Sequence, residues 1–320
     1  MSPRRFRLFA YAVLCVNLAV ICWGAYVRSS GSGAGCGNHW PLCKQAAGSG
    51  EHHLIELLHR LTTGAAGVLV AVLVVIAFRS FARGAPVRKA ATAAALTYVL
   101  EALIGAAIVK LGLVAYDPSI AHALAVAIHF VNTLVLLASL ALVAWFAETP
   151  GPVQLRSRGT LSRLLAATIG AILLLAMTGA VAALADLIFP VDSFREGLQR
   201  DFSAGAATLL RLRMIHPVLA VVVSLLIVAT YRVASRGAGG PHTPLLARWL
   251  GVCFLVQVAL GLLNLGFAAP TILQMLHLLG ADATWISLIL LAASALVMPV
   301  DAPAAALTTS AASAGGVTPG

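Results

Sequence analysis

Four histidines recur at the outer ends of alternate hydrophobic segments: His59, His129, His216 and His277. An ionisable ring inside a membrane helix is costly in hydrocarbon and is usually kept for function. Two imidazoles on facing helices of a bundle can fill both axial positions of one haem iron. The spacing therefore predicts two ligand pairs, one in each half of the chain. The plainer alternative, four polar residues buried between helices, does not account for their repeated placement.

The surroundings of His59 carry further chemistry. In Glu56-Leu57-Leu58-His59-Arg60, the carboxylate and the imidazole stand three residues apart and share a helix face. Glu56 can orient the ring or act as an acid–base group beside a ligand. Arg60 can pair with a carboxylate such as a haem propionate, or simply snorkel beside Glu56. Just upstream runs Arg28-Ser29-Ser30-Gly31-Ser32-Gly33-Ala34-Gly35-Cys36-Gly37-Asn38-His39-Trp40-Pro41-Leu42-Cys43. Its glycines permit a tight backbone path. Cys36 and Cys43 match neither a thioredoxin-type pair nor a zinc ribbon. On an oxidising face of a membrane they could form a disulfide, either exchanging electrons or stapling the loop.

The elements that must position these groups are membrane helices. Of 320 residues, 60% are hydrophobic and 10% charged, against about 25% charged in soluble domains. Eight apolar stretches are each near the roughly 20 residues a span needs: 8–27, 59–82, 91–113, 121–146, 162–185, 212–234, 248–268 and 275–299. The first follows Arg4, Arg5 and Arg7 but lacks a clean cleavage site, so it reads as a retained helix. The fold class is all-α integral membrane, with eight transmembrane helices as two pseudo-repeated four-helix bundles. Four spans per repeat put both histidine sets on the same side.

The formal charge of +10 is split among loops and does not mark a nucleic-acid partner. Thirteen basic residues flank one side and eight the other, which predicts cytoplasmic termini and sites toward the outer face. Domains are expected at 1–147 and 162–299, joined by a flexible cytoplasmic linker 148–161 and followed by a disordered tail 300–320.

Together these residues resemble the heme A synthase family, in its bacterial form with a cysteine pair in the first outer loop. The resemblance spans essentially all eight helices. Its most specific parts are residues 31–43 and Glu56-x-x-His59-Arg60. Ala127-Ile128-His129-Phe130, Met214-Ile215-His216 and Met275-Leu276-His277 supply the remaining histidines. The resemblance implies an oxidoreductase that converts the C-8 methyl of heme O to the formyl of heme A for cytochrome oxidase assembly. Haem b would sit between His216 and His277. Heme O would sit between His59 and His129, with Glu56 near the reacting site. Cys36 and Cys43 would act in activity or electron transfer. Arg28, Arg60 and Arg213 are the expected propionate contacts. Heme O synthase, a quinone or thiol redox partner, and membrane lipid are the implied partners, in a bacterial cytoplasmic membrane. The chain departs from the family where His39 replaces an acidic residue and Pro217 replaces an arginine. The loop 186–211 has no second cysteine pair.

Among other residues, His122 reads as interfacial or as a propionate partner, and His52 and His53 as solvated. His242 is assigned no role. Glu101 is expected to join a proton path or pair with another helix, and Gln257 and Asn264 to bond between helices. Cys15, Cys22 and Cys253 read as small apolar core residues. Two other classes stay open: a bis-histidine cytochrome relaying electrons from quinone without converting haem, and a transporter or haem exporter.

Overall fold

The computed structural model describes residues 1–43, 50–149, 153–155, 159–236 and 240–299. Lys44, Arg156, Arg158 and the tail 300–320 lie outside them. Among the described residues, eight helical spans are long and apolar enough to cross a membrane. They are α1 (Pro3–Ser29), α2 (Glu51–Ser80), α3 (Pro86–Lys110), α4 (Ile120–Phe146), α5 (Thr160–Ile188), the paired α7 (Thr208–Arg213) and α8 (Ile215–Ala234), α9 (Thr243–Gly266) and α10 (Thr271–Leu296). A short polar helix, α6 (Phe194–Asp201), lies between α5 and α7.

Local chemistry sets several ends. Ser2, Ser119 and Ser193 cap α1, α4 and α6, each accepting a backbone N–H with its side chain. Proline opens α1, α3 and α9, where its missing N–H costs nothing. The break at Met214 between α7 and α8 has the same origin. Pro217 has no N–H to return to the carbonyl of Arg213, so the span is interrupted one turn before that proline.

The helices extend beyond the apolar stretches, because polar residues at the interface remain helical. α2 begins at Glu51 rather than near His59. His59, His129 and His277 therefore lie in the second or third turns of their helices, whereas His216 is the second residue of α8. At 1.5 Å per residue they are about 9–14 Å from where their spans begin.

Packing gives two closed rings of four. In the first, α1 packs on α2, α2 on α3, α3 on α4 and α4 on α1. In the second, α5 packs on α8, α8 on α9, α9 on α10 and α10 on α5. α1 and α4 meet α5 and α10 along the seam. The indole N–H of Trp285 on α10 crosses it to the Leu134 carbonyl at 2.7 Å. The largest buried cluster runs through this seam, with Leu134, Leu137, Leu140, Leu288 and Leu291 among its members.

The linker differs from expectation in one respect. β1 (Val153–Leu155) pairs antiparallel with β2 (Val297–Pro299), with Val153 opposite Pro299 and Leu155 opposite Val297. Two short extended segments satisfy each other's backbone groups, so this part of the connector is tied to the end of α10. Arg7 and Glu148 pair at the same end of the first bundle.

Candidate functional site

Each of the four histidines faces a glycine on a neighbouring helix. A Cβ on Gly24 of α1 would stand 2.9 Å from Cε1 of His59 on α2. A Cβ on Gly179 of α5 would stand 2.9 Å from Cε1 of His216 on α8. Gly261 of α9 faces His277 of α10 at 3.0 Å, and Gly105 of α3 faces His129 of α4 at 3.8 Å. The same device thus occurs in both halves: glycine on the first and third spans, histidine on the second and fourth. At Gly24, Gly179 and Gly261 only the missing side chain lets the rings sit so close to the opposing backbone.

The histidines of one half lie on diagonal helices of a closed ring. His59 is within electrostatic range of His129, and His277 of His216. His216 Nδ1 stands 3.2 Å from the Leu175 carbonyl and 3.2 Å from Thr178 Oγ1. Donation from Nδ1–H to that carbonyl leaves the Nε2 lone pair for a ligand. Nδ1 of His59, His129 and His277 is buried without a hydrogen-bond partner among the described residues. Buried ring nitrogens are normally satisfied. Glycine-backed rings with open nitrogens suit a planar group held between them.

Around the shared plan the halves differ. Three residues before the first histidine stands Glu56 in one half and Arg213 in the other. Four residues before the second glycine stands Glu101 in one half and Gln257 in the other. Glu56 is 3% exposed and fully engaged. Its Oε2 accepts the Cys36 N–H at 2.7 Å, and its Oε1 accepts from Arg60, whose Nε is 3.1 Å away. Arg60 also donates to the His39 and Pro41 carbonyls. Glu56 therefore fastens the cysteine loop to the turn that carries His59.

That loop is closed by a Cys36–Cys43 disulfide with Cα atoms 4.9 Å apart. The bond removes the thiolates that, with His53, would otherwise group ligand atoms within 4.8 Å. His52 and His53 are not merely solvated. His52 Nδ1 meets Ser32 Oγ at 2.8 Å, and His53 Nδ1 meets the Gly35 carbonyl at 3.3 Å. Any side chain on Gly35 would overlap the His52 carbonyl. Glu56→Ala leaves the Cys36 N–H and Arg60 without their acceptor, a loss of about 1.5–3 kcal/mol for charged hydrogen bonds. The expected readouts are a lower melting temperature and faster proteolysis within residues 31–43.

The arginines expected at propionates all have protein partners. Arg28 reaches across the seam to the Ala183 carbonyl at 2.6 Å and Gln274 Oε1 at 3.1 Å. Arg213 pairs with Asp186 at 2.7 Å and Asp201 at 2.5 Å. His122 is buried and bonds the Asp117 carbonyl at 2.9 Å in the first turn of α4. His242 caps α9 and packs edge-on against Trp145. Cys15 is exposed on the outside of α1 and not in the core. Gln257 Nε2 lies 3.3 Å from His277 Nε2, whereas Asn264 Oδ1 is buried without a partner among the described residues.

Sequence reasoning missed Asp282. It is fully buried on α10, and neither carboxylate oxygen has a partner among the described residues. A lone acid inside an apolar span was the available signal.

A family model described as cytochrome oxidase assembly protein, COX15-CtaA, matches residues 44–289, which include all four histidines and Glu56. The chain belongs to the COX15-CtaA family. It is 42% identical over 305 residues to a protoheme IX farnesyltransferase of Thermus thermophilus, covering 92% of this chain and 49% of that protein. It is 38% identical over 132 residues to a heme A synthase of Bacillus mycoides, covering 39% of each chain. A heme A synthase of Bacillus cereus matches to the same extent. The chain spans about half the length of the Thermus relative. Membership in this family fits the multi-pass helical architecture and the cysteine pair described above.

Proposed function

We propose that this chain is a heme A synthase, oxidising the C-8 methyl of heme O to the formyl of heme A. The observation that carries the reading is the repeated glycine–histidine constellation, with Glu56 and Glu101 standing where the C-terminal half has Arg213 and Gln257. In that half, His59 and His129 hold the substrate. In the C-terminal half, His216 and His277 would hold a resident haem b. When bound there, haem b would supply electron transfer. Residues 1–147 form the substrate half and 162–299 the cofactor half.

In the conversion the methyl carbon takes its oxygen from water and gives up protons and electrons, R–CH3 + H2O → R–CHO + 4 H+ + 4 e−. The electrons leave to a quinone or thiol redox partner. Glu56, on the helix face of His59, is the acid–base group for the protons. Its carboxylate is held by the Cys36 N–H and by Arg60, which couples the cysteine loop to that position. Both termini face the cytoplasm and the histidines lie toward the outer leaflet.

The Thermus relative supports a second reading, transfer of a farnesyl group to protohaem. That relative is matched over half its length, so its named activity need not belong to the shared half. Diphosphate leaving groups are handled with magnesium and carboxylates. Of the eleven acidic residues here, several of the described ones are committed to ion pairs. Because farnesylated haem is the proposed substrate, a farnesyltransferase is instead the natural partner.

Membranes containing the full-length chain, supplied with heme O, are expected to yield heme A on extraction and mass analysis. Unchanged heme O beside a bis-histidine haem spectrum would establish the relay cytochrome instead. Heme O formed from protohaem and farnesyl diphosphate would establish the transferase.

A further inference from the structure

Glu101 is the group whose placement no step above uses. It lies on α3, four residues before Gly105, the glycine that faces His129. Its carboxylate is gripped by the helix that carries that histidine. Asn132 donates to Oε2 at 2.5 Å, and Thr133 donates to Oε1 at 2.5 Å. These two residues follow His129 by three and four positions, so they sit on the same face one turn on. The grip brings Oε1 to 3.4 Å from His129 Nδ1. This is within ion-pair range but outside hydrogen-bond alignment, since Nδ1 has no hydrogen-bond partner. Asn132 also donates to the Thr97 carbonyl at 2.9 Å, which fixes α3 against α4 at this level.

The other half lacks this arrangement. Its counterpart is Gln257, four residues before Gly261, with Nε2 3.3 Å from His277 Nε2. The N-terminal half thus offers a carboxylate near Nδ1, whereas the C-terminal half has an amide at Nε2 and leaves His277 Nδ1 without a partner among the described residues. A carboxylate behind Nδ1 fixes the tautomer and makes an imidazole a stronger donor through Nε2.

The geometry points to Glu101 as the positioning residue of His129. From 3.4 Å away it would take the Nδ1–H once the ring ligates iron, and it would make His129 a stronger donor than a histidine without a carboxylate behind it. The inference rests on the reading that His129 ligates haem iron. It adds a lowered reduction potential on the substrate side. The grip by Asn132 and Thr133 keeps the carboxylate from turning away when the ring moves.

The test uses the full-length chain with His216→Ala and His277→Ala, so that added protohaem occupies the N-terminal half alone. Glu101→Gln keeps an oxygen acceptor for one of Asn132 and Thr133 and removes the negative charge. It is expected to bind protohaem with a raised midpoint potential and a shifted ferric electron-paramagnetic-resonance signal. Thr133→Val removes the donor that holds Oε1 beside Nδ1 and is expected to raise the potential as well, by less than Glu101→Gln. Loss of protohaem from Glu101→Gln at an unchanged melting temperature also supports positioning. Loss of protohaem together with a lowered melting temperature would show a merely structural role, and so would bound protohaem with an unchanged potential and signal. His129→Ala on the same background separates the two levels. If it leaves the bis-histidine spectrum intact, the ligation reading fails, and this inference fails with it.

Discussion

His216→Ala is expected to abolish the haem b proposed for the C-terminal half, and Gly179→Ala to weaken its binding severely without replacing either histidine. A methyl at Gly179 would stand 2.9 Å from His216 Cε1 and 3.3 Å from Nδ1. Packed carbons do not approach so closely, so the ring must swing away. Swinging breaks the contacts of Nδ1 with Leu175 and Thr178, which set the tautomer and the direction of Nε2. Losing such support around a metal ligand typically costs about 10–100-fold in affinity. Gly261→Ala, at 3.0 Å from His277, is expected to behave alike. Gly105→Ala is the internal control. Its Cβ would sit 3.8 Å from His129, an ordinary contact, so the N-terminal site should tolerate it where Gly24→Ala at 2.9 Å does not. Haem-to-protein ratio and the bis-histidine absorption bands read the C-terminal pair, and heme O conversion reads the N-terminal pair. Full haem content in Gly179→Ala would refute the glycine cradle.

The glycines show where sequence reading stops. The four histidines stand out because each is a costly residue in an apolar span, and Glu56-x-x-His59 is legible because both residues lie on one helix. Gly24 and Gly179 lie 35 and 37 positions before their histidines, and glycine is common in membrane helices. Only packing reveals which glycine makes room for which ring. Glu101 was legible as a buried acid needing a partner, but its partners Asn132 and Thr133 come from another helix. Arg28 reads as local to the cysteine loop, yet its long side chain crosses the seam to Ala183 and Gln274. α6 escaped notice because an eight-residue polar helix leaves no hydropathy signal. The disulfide partners were visible as a pair, and the structure adds that Glu56 grips the loop at Cys36.

Arg213→Met is expected to be the most destabilising single change at the histidine-bearing end of the second bundle, costing about 3–5 kcal/mol. The guanidinium side chain is 13% exposed and holds two carboxylates, Asp186 on α5 and Asp201 on α6. Removing it leaves both acids without their cation, and Asp201 is only 7% exposed. The penalty of a buried charge stripped of its partner exceeds what the intact pair contributes. Position compounds the effect. Arg213 ends α7 immediately before the break at Met214, and the next turn carries His216. Loosening this clamp should therefore lower haem content as well as melting temperature. Asp186→Asn with Asp201→Asn in the Arg213→Met background removes both stranded charges and should recover most of the stability. Failure of that recovery would attribute the loss to packing of the long side chain instead. A single Arg213→Met variant that melts with the wild type would mean the three charges are hydrated in the folded protein and fasten nothing.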